Sequence, residues 1–196
     1  MVTVRYNVTS DRSVSIRRGD ITRVEADAIV NAANSHMAPG GGVSGAIHSA
    51  AGPELAEECL AVVSACGPLQ TGQAAITGAG ALWWAKHVVH ALGPVWHGGG
   101  RGEPEALASA YRSAIRCADE AEATTIAFPS ISTGIFGYPV KEAAPVALHA
   151  IASALRQTHS VQVAKMVLFD ETTYNAYERA LKQLAAEESA EDALSE

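Results

Sequence analysis

Ala28-Ile29-Val30-Asn31-Ala32-Ala33-Asn34, with Pro39-Gly40-Gly41-Gly42-Val43-Ser44-Gly45 four residues further on, is the stretch that decides the fold. Its first half is a short, nearly continuous apolar run, the pattern of a strand covered on both faces. Its second half is a glycine-rich loop leading into a helix. The same succession recurs at Thr125-Ile126-Ala127-Phe128 followed by Ser130-Ile131-Ser132-Thr133-Gly134-Ile135-Phe136-Gly137. A glycine loop at a helix start turns several unpaired backbone N–H groups toward an anion, and the helix dipole adds partial positive charge there. Two such loops in one small domain suggest a clamp around two phosphates.

Further out, Ala74–Ile76, His87–Val89 and Met166–Phe169 repeat the buried-strand pattern. Val2, Val4, Tyr6 and Val8 instead alternate with polar residues, as a half-buried, antiparallel edge strand would, and Val14 and Ile16 suggest a second strand. Helical stripes lie between the runs: Leu107, Tyr111, Ile115 and Ala118; Ala144, Leu148, Ile151 and Leu155; Tyr174, Tyr177, Leu181 and Leu184. Pro145 fits its stripe only if it lies in a first helical turn. Strands alternating with helices predict an α/β protein. Residues 1–186 are expected to form one domain. The acidic, alanine-rich segment 187–196 is expected to be a tail without fixed structure.

The chain has 196 residues, of which 48% are hydrophobic and 18% charged, so a core can form without metal or disulfide staples. Lys+Arg number 14 against 21 Asp+Glu, for a net charge of −7, and no basic cluster exceeds Arg17-Arg18. That balance disfavours a nucleic-acid partner. An anionic ligand would have to be held by backbone N–H groups. The N-terminus lacks a signal-peptide core, no apolar run could span a bilayer, and Cys59, Cys66 and Cys117 form no disulfide pattern, so a cytoplasmic location is expected.

Each motif has competing readings. Gly40, Gly42 and Gly45 match G-x-G-x-x-G, but Ser35–Pro39 separates them from the strand and Glu57 and Glu58 fall in a helix, which argues against a dinucleotide-binding Rossmann unit. Asn31 and Asn34 could offer amides to sugar hydroxyls, or could satisfy their own backbone in a turn. Asp20, in Gly19-Asp20-Ile21-Thr22, could accept an exocyclic amine or mark a plain turn. Phe169 could stack on a base or lie in the core. His48 reads as a satisfied core histidine and His97–Gly102 as a mobile surface loop. No metal-ligand set is visible, since His87 and His90 are three apart on a strand and face opposite sides.

Taken in order, these segments resemble the macrodomain family over about Ile16 to Leu184. The resemblance rests on Gly19–Thr22, Ile29–Asn34, Gly40–His48, Thr71–Ala74, Val89–Trp96 and Phe128–Gly137. It implies a three-layer α/β/α sandwich around a mixed central sheet, and ADP-ribose as ligand, with no cofactor and no metal. It implies that Asp20 takes the adenine amine beside the backbone of Ile21, and that Phe169 lies against the adenine. Gly41, Gly42 and Val43 in the first loop, with Ser132, Thr133, Gly134, Ile135 and Phe136 in the second, would cradle the diphosphate. Asn34 would hold the distal ribose, with Asn31 beside it.

The chain looks most like the MacroD-type hydrolases and their near relatives, which remove ADP-ribose from acidic side chains or deacetylate O-acetyl-ADP-ribose. The implied catalytic positions are Asn34, Ser44 and, for positioning, Phe136. Ser44 stands where that subclass carries Asp, and Phe136 where it often carries Tyr. A neutral hydroxyl is a poor base, so water attack would rely on Asn34 and the bound diphosphate. The expected partners are ADP-ribose and ADP-ribosylated proteins, and the expected state is monomeric. A non-catalytic ADP-ribose reader is the alternative.

Overall fold

A computed structural model describes residues 3–195, and the side chains of residues 3–190. Met1, Val2, Glu196 and the side chains of 191–195 lie outside the described residues, including the first position of the alternating N-terminal pattern. The strands are β1 (Val4–Asn7), β2 (Ser13–Arg18), β3 (Ala28–Ala32), β4 (Ala74–Gly78), β5 (His87–Ala91), β6 (Thr125–Phe128) and β7 (Val163–Leu168). The helices are α1 (Gly42–Ala51), α2 (Pro53–Cys66), α3 (Glu103–Glu120), α4 (Val140–Leu155) and α5 (Glu171–Ser195).

The strands form one mixed sheet in the order β1-β2-β7-β6-β3-β5-β4. The five inner strands are parallel, and the two edges are antiparallel. Period-two alternation divides the inner strands between two cores. Ala28, Val30, Val89 and Ala91 face α3, α4 and α5. Ile29, Val88 and Val167 face α1 and α2. Helices on both faces favour the continuous apolar runs of β3, β5 and β6, because both faces of these strands are largely shielded from water. The result is the three-layer α/β/α sandwich with a mixed sheet.

Two elements differ from expectation. Pro145 is the sixth residue of α4, in the second turn rather than the first. The helix runs through it, held by Ala143, Ala144, Ala147 and Leu148, all fully buried on either side of it. Residues 187–190 continue α5 instead of starting a loose tail. Glu188 pairs with Arg156 at 2.6 Å and accepts a hydrogen bond from Tyr6 of the edge strand, while Glu187 lies 3.3 Å from His149. No described helix is long and apolar enough to cross a membrane.

Candidate functional site

Because β2, β7, β6, β3 and β5 are parallel, their carboxyl ends share one rim, where open α/β sheets bind ligands. A cavity of about 550 Å³ lies there. Segments following all five strands line it: Gly19–Ile21 after β2, Ala32–Asn34 after β3, Gly93 after β5, Pro129–Phe136 after β6, and Val167–Asp170 at the end of β7. No lysine or arginine is among the lining residues.

The first glycine loop becomes α1 at Gly41 and Gly42. Gly41, the N-cap, provides no side-chain cap, so the first amides of α1 stay open toward the cavity. Gly42 has a left-handed φ of +58°, a conformation that disfavours a β-carbon. Gly45 lets the helix approach the loop: a Cβ there would lie 2.6 Å from the Gly40 carbonyl oxygen.

The second loop carries more free donors. The backbone N–H groups of Ser132, Thr133, Gly134, Ile135 and Phe136 have no acceptor among the described residues, whereas Gly137 donates to Gly134 O and Tyr138 to Ser132 O. Ser132 is buried with φ at +67°, a region that non-glycine residues enter at a cost. Its hydroxyl and that of buried Ser44 make no hydrogen bond. The loop is anchored from behind. Tyr111 Oη accepts from Ile131 N at 3.0 Å and lies 3.3 Å from Tyr177 Oη, which lies 2.9 Å from Ser130 Oγ. These tyrosines appeared in the sequence only as members of apolar stripes. The two loops meet at Gly41, where a Cβ would stand 3.1 Å from Ile135 Cδ1.

Asp20, Ile21, Asn34, Gly41, Gly42, Val43, Ser44, Phe136 and Phe169 all line the cavity, with Ser132, Thr133, Gly134 and Ile135. Phe169 is 81% exposed, which overturns the core reading, and it stands on the rim with Ile135, 83% exposed. Asp20 Oδ1 accepts from Thr22 N and Thr22 Oγ1 at 2.9 and 2.7 Å, leaving Oδ2 3.7 Å from Arg23. Asp170 and Thr173, which the sequence did not single out, also line the cavity. Asp170 is held by two 2.8 Å bonds from Thr173, which keep its carboxyl below the usual carboxylate range.

The asparagines behave differently from the expected pair. Asn31 is fully buried and does not line the cavity; it points to the α1/α2 face, where its amide lies 3.2 Å from His90 Nδ1. β-strand alternation explains this, since Asn31 shares a face with Ile29. Asn34 does line the cavity, but its amide is engaged by its own turn. It donates to Ala38 O at 2.8 Å and accepts from His36 N and Ala38 N at 3.1 Å. Of the two readings, this is the turn.

Two other expectations are corrected. His48 is buried, but neither ring nitrogen has a hydrogen-bond partner, so it is not satisfied. The His97–Gly102 loop is tied down, because the Glu103 carboxylate accepts from the N–H groups of His97, Gly99 and Arg101.

A mixed sheet between helix layers, with two glycine loops converging at the carboxyl ends of its strands, defines an α/β protein with a ligand-sized cleft edged by open main-chain amides. A family model described as Macro domain matches residues 30–147. The chain is 47% identical to a Macro domain-containing protein of Caldanaerobacter subterraneus, over 87% of this chain and 97% of that one. It is 45% identical to the O-acetyl-ADP-ribose deacetylase of Enterobacter cloacae, over 89% and 96%. Among solved structures, the Oceanobacillus iheyensis macrodomain with ADP superposes at a TM-score of 0.88 with 39% identity, covering 95% of this chain and 98% of that one. The Trypanosoma brucei macrodomain in complex with ADP-ribose gives 0.77 with 35% identity, covering 86% and 68%. The chain belongs to the Macro domain family.

Proposed function

We propose that the cavity binds ADP-ribose and that the protein is a hydrolase, cleaving ADP-ribosyl esters on acidic side chains of proteins, O-acetyl-ADP-ribose, or both. The observation that carries this reading is the run of five acceptor-free N–H groups at 132–136, close against the open start of α1, in a cleft without lysine or arginine. Such a cradle suits a diphosphate. The relatives named O-acetyl-ADP-ribose deacetylase support the hydrolase class. In the bound complex Phe169 covers the adenine, Asp20 Oδ2 accepts its amine, and Asn34 faces the distal ribose.

Hydrolysis divides one water between the acid and the ribose hydroxyl, so no cofactor is consumed. The only carboxylates lining the cavity are Asp20 and Asp170, both held by neighbouring threonines. The attacking water is therefore oriented by the ligand's own phosphate and the Ser44 hydroxyl, with Asn34 and Phe136 fixing the ribose. A specific observation favours the second reading, a non-catalytic reader: Ser44 supplies no general base. Single-turnover release of ADP-ribose from a glutamate-modified protein, run beside ADP-ribose calorimetry, separates the two. Release above background, slowed more than binding by Asn34→Ala, supports hydrolysis. Saturable binding without release supports the reader, and no binding at millimolar ADP-ribose sinks both.

A further inference from the structure

On the sheet face opposite α3–α5, three chemically reactive side chains converge away from the cavity. His48 comes from α1, Cys59 from α2 and His90 from β5, and all three are buried. Their ligand atoms lie within 4.8 Å of one another. Sequence spacing hides this set, because its members come from three separate elements rather than one strand.

We propose that His48, Cys59 and His90 form a zinc-binding site between the sheet and the α1/α2 layer. Zinc takes thiolate and imidazole at about 2.3 and 2.0–2.1 Å, so tetrahedral geometry asks for S···N separations of roughly 3.6 Å and N···N of roughly 3.3 Å. Cys59 Sγ already stands 3.5 Å from His90 Nε2. His48 has only to draw in by at most roughly 1.5 Å to complete the triangle.

The independent sign of a missing partner is His48 itself, 6% exposed, with neither ring nitrogen in a hydrogen bond of normal geometry and the Met37 backbone as its nearby polar group. A buried polar group without a partner is unfavourable, and an ion would supply one. His48 also lines a surface cleft with Gly45, Ser49, Gly52 and Pro53, which gives an ion an entry path. Asn31 Nδ2 lies 3.2 Å from His90 Nδ1 while its Oδ1 has no partner; on zinc binding the amide would turn over, so that Oδ1 accepts from Nδ1–H and Nε2 is left to the ion. A water from the cleft takes the fourth position, and Thr77 Oγ1, now 3.0 Å from His90 Nε2, is released to it.

The donor set selects the metal class. It contains one sulfur and two nitrogens and no carboxylate, which excludes hard calcium and magnesium and fits a thiophilic dication. The Cys59 thiol gives up its proton to solvent as the S–Zn bond forms.

The test uses the full chain, freed of metal by a chelator and titrated with Co²⁺ and then Zn²⁺. One Co²⁺ per chain is expected, with a thiolate-to-cobalt charge-transfer band and tetrahedral visible bands, both erased by Zn²⁺. Zinc at 100-fold excess over its Kd should raise Tm by roughly 5 °C or more. Cys59→Ser and His48→Gln should each weaken zinc binding by roughly 10-fold or more, while Cys66→Ser and Cys117→Ser leave it unchanged. The absence of a charge-transfer band in the wild type, or equal affinity in Cys59→Ser, overturns the proposal. Should Cys59→Ser fail to fold, the wild-type cobalt spectrum and His48→Gln decide. ADP-ribose calorimetry on the same samples keeps a failure here distinct from a failure of the proposed function.

Discussion

Ser44 is the third residue of α1, and its buried hydroxyl bonds nothing. Replacing it by aspartate puts a base beside the glycine loop. Ser44→Asp is expected to raise single-turnover hydrolysis by roughly 10-fold or more, since a positioned base contributes about 10²–10⁴. Unchanged or lower turnover would show that position 44 is not where water is activated. Tyr111 acts at one remove, as a positioning residue. Tyr111→Phe strands the buried Ile131 N–H, which costs about 1–3 kcal/mol. ADP-ribose affinity should fall further than denaturant stability implies, because the freed amide immediately precedes the run proposed to face the ligand. Equal losses in isothermal titration and urea melts would reduce Tyr111 to a core residue. The Ser44 position was legible from the family resemblance, but the Tyr111 role was not. The partner of a hydroxyl or an amide is chosen by chain segments far away, as the separation of 66 positions from Tyr111 to Tyr177 illustrates. The same holds for Asn31 and Asn34, three residues apart, which strand alternation and a turn send to different destinations: Asn31 into the α1/α2 face and Asn34 to the cavity rim.

At the scale of elements, the start of β3 is braced by Asp27. Burial works to raise its pKa, but hydrogen bonds from Lys86, Thr124 and Thr125 outweigh it and hold the carboxyl well below the usual carboxylate range. A depressed folded pKa means stability that is fully present above the unfolded value, near 3.8, and is lost as pH falls below it. Asp27→Asn should therefore cost about 1–3 kcal/mol at pH 7 and progressively less below pH 4, so the two stability curves converge in acid. Parallel curves from thermal melts across that range would exclude Asp27 as the source. Elements themselves were readable wherever a buried strand made an unbroken apolar run, as at Ile29-Val30 and Ile126-Ala127-Phe128. They were misread where local preference lost to packing: Pro145 is carried inside α4 by its alanine-lined neighbours, and α5 is drawn past residue 186 by Glu188 reaching Arg156 and Tyr6.

At the scale of the molecule, a net charge of −7 and a cavity without cationic side chains leave anion capture to dipoles. Dipoles at contact distance are screened far less than separated charges. ADP-ribose affinity should accordingly fall less than about threefold between roughly 50 and 500 mM NaCl. A steep decline by calorimetry would point to lysines or arginines acting from outside the cavity. The layered architecture was legible because two-sided burial leaves a compositional mark on β3, β5, β6 and β7, though not on β2, whose Ser13, Ser15 and Arg17 give it an alternating pattern. The order of those strands was not, since register and neighbour choice leave no local trace.

The cavity takes its walls from Gly19 at one end of the chain to Thr173 near the other, with contributions after every parallel strand. No fragment owns it. Nucleotide occupancy thus serves as an assay of architectural completeness: a nick or truncation that releases any one of those five connections should abolish recognition outright, even where the remaining pieces keep their helices.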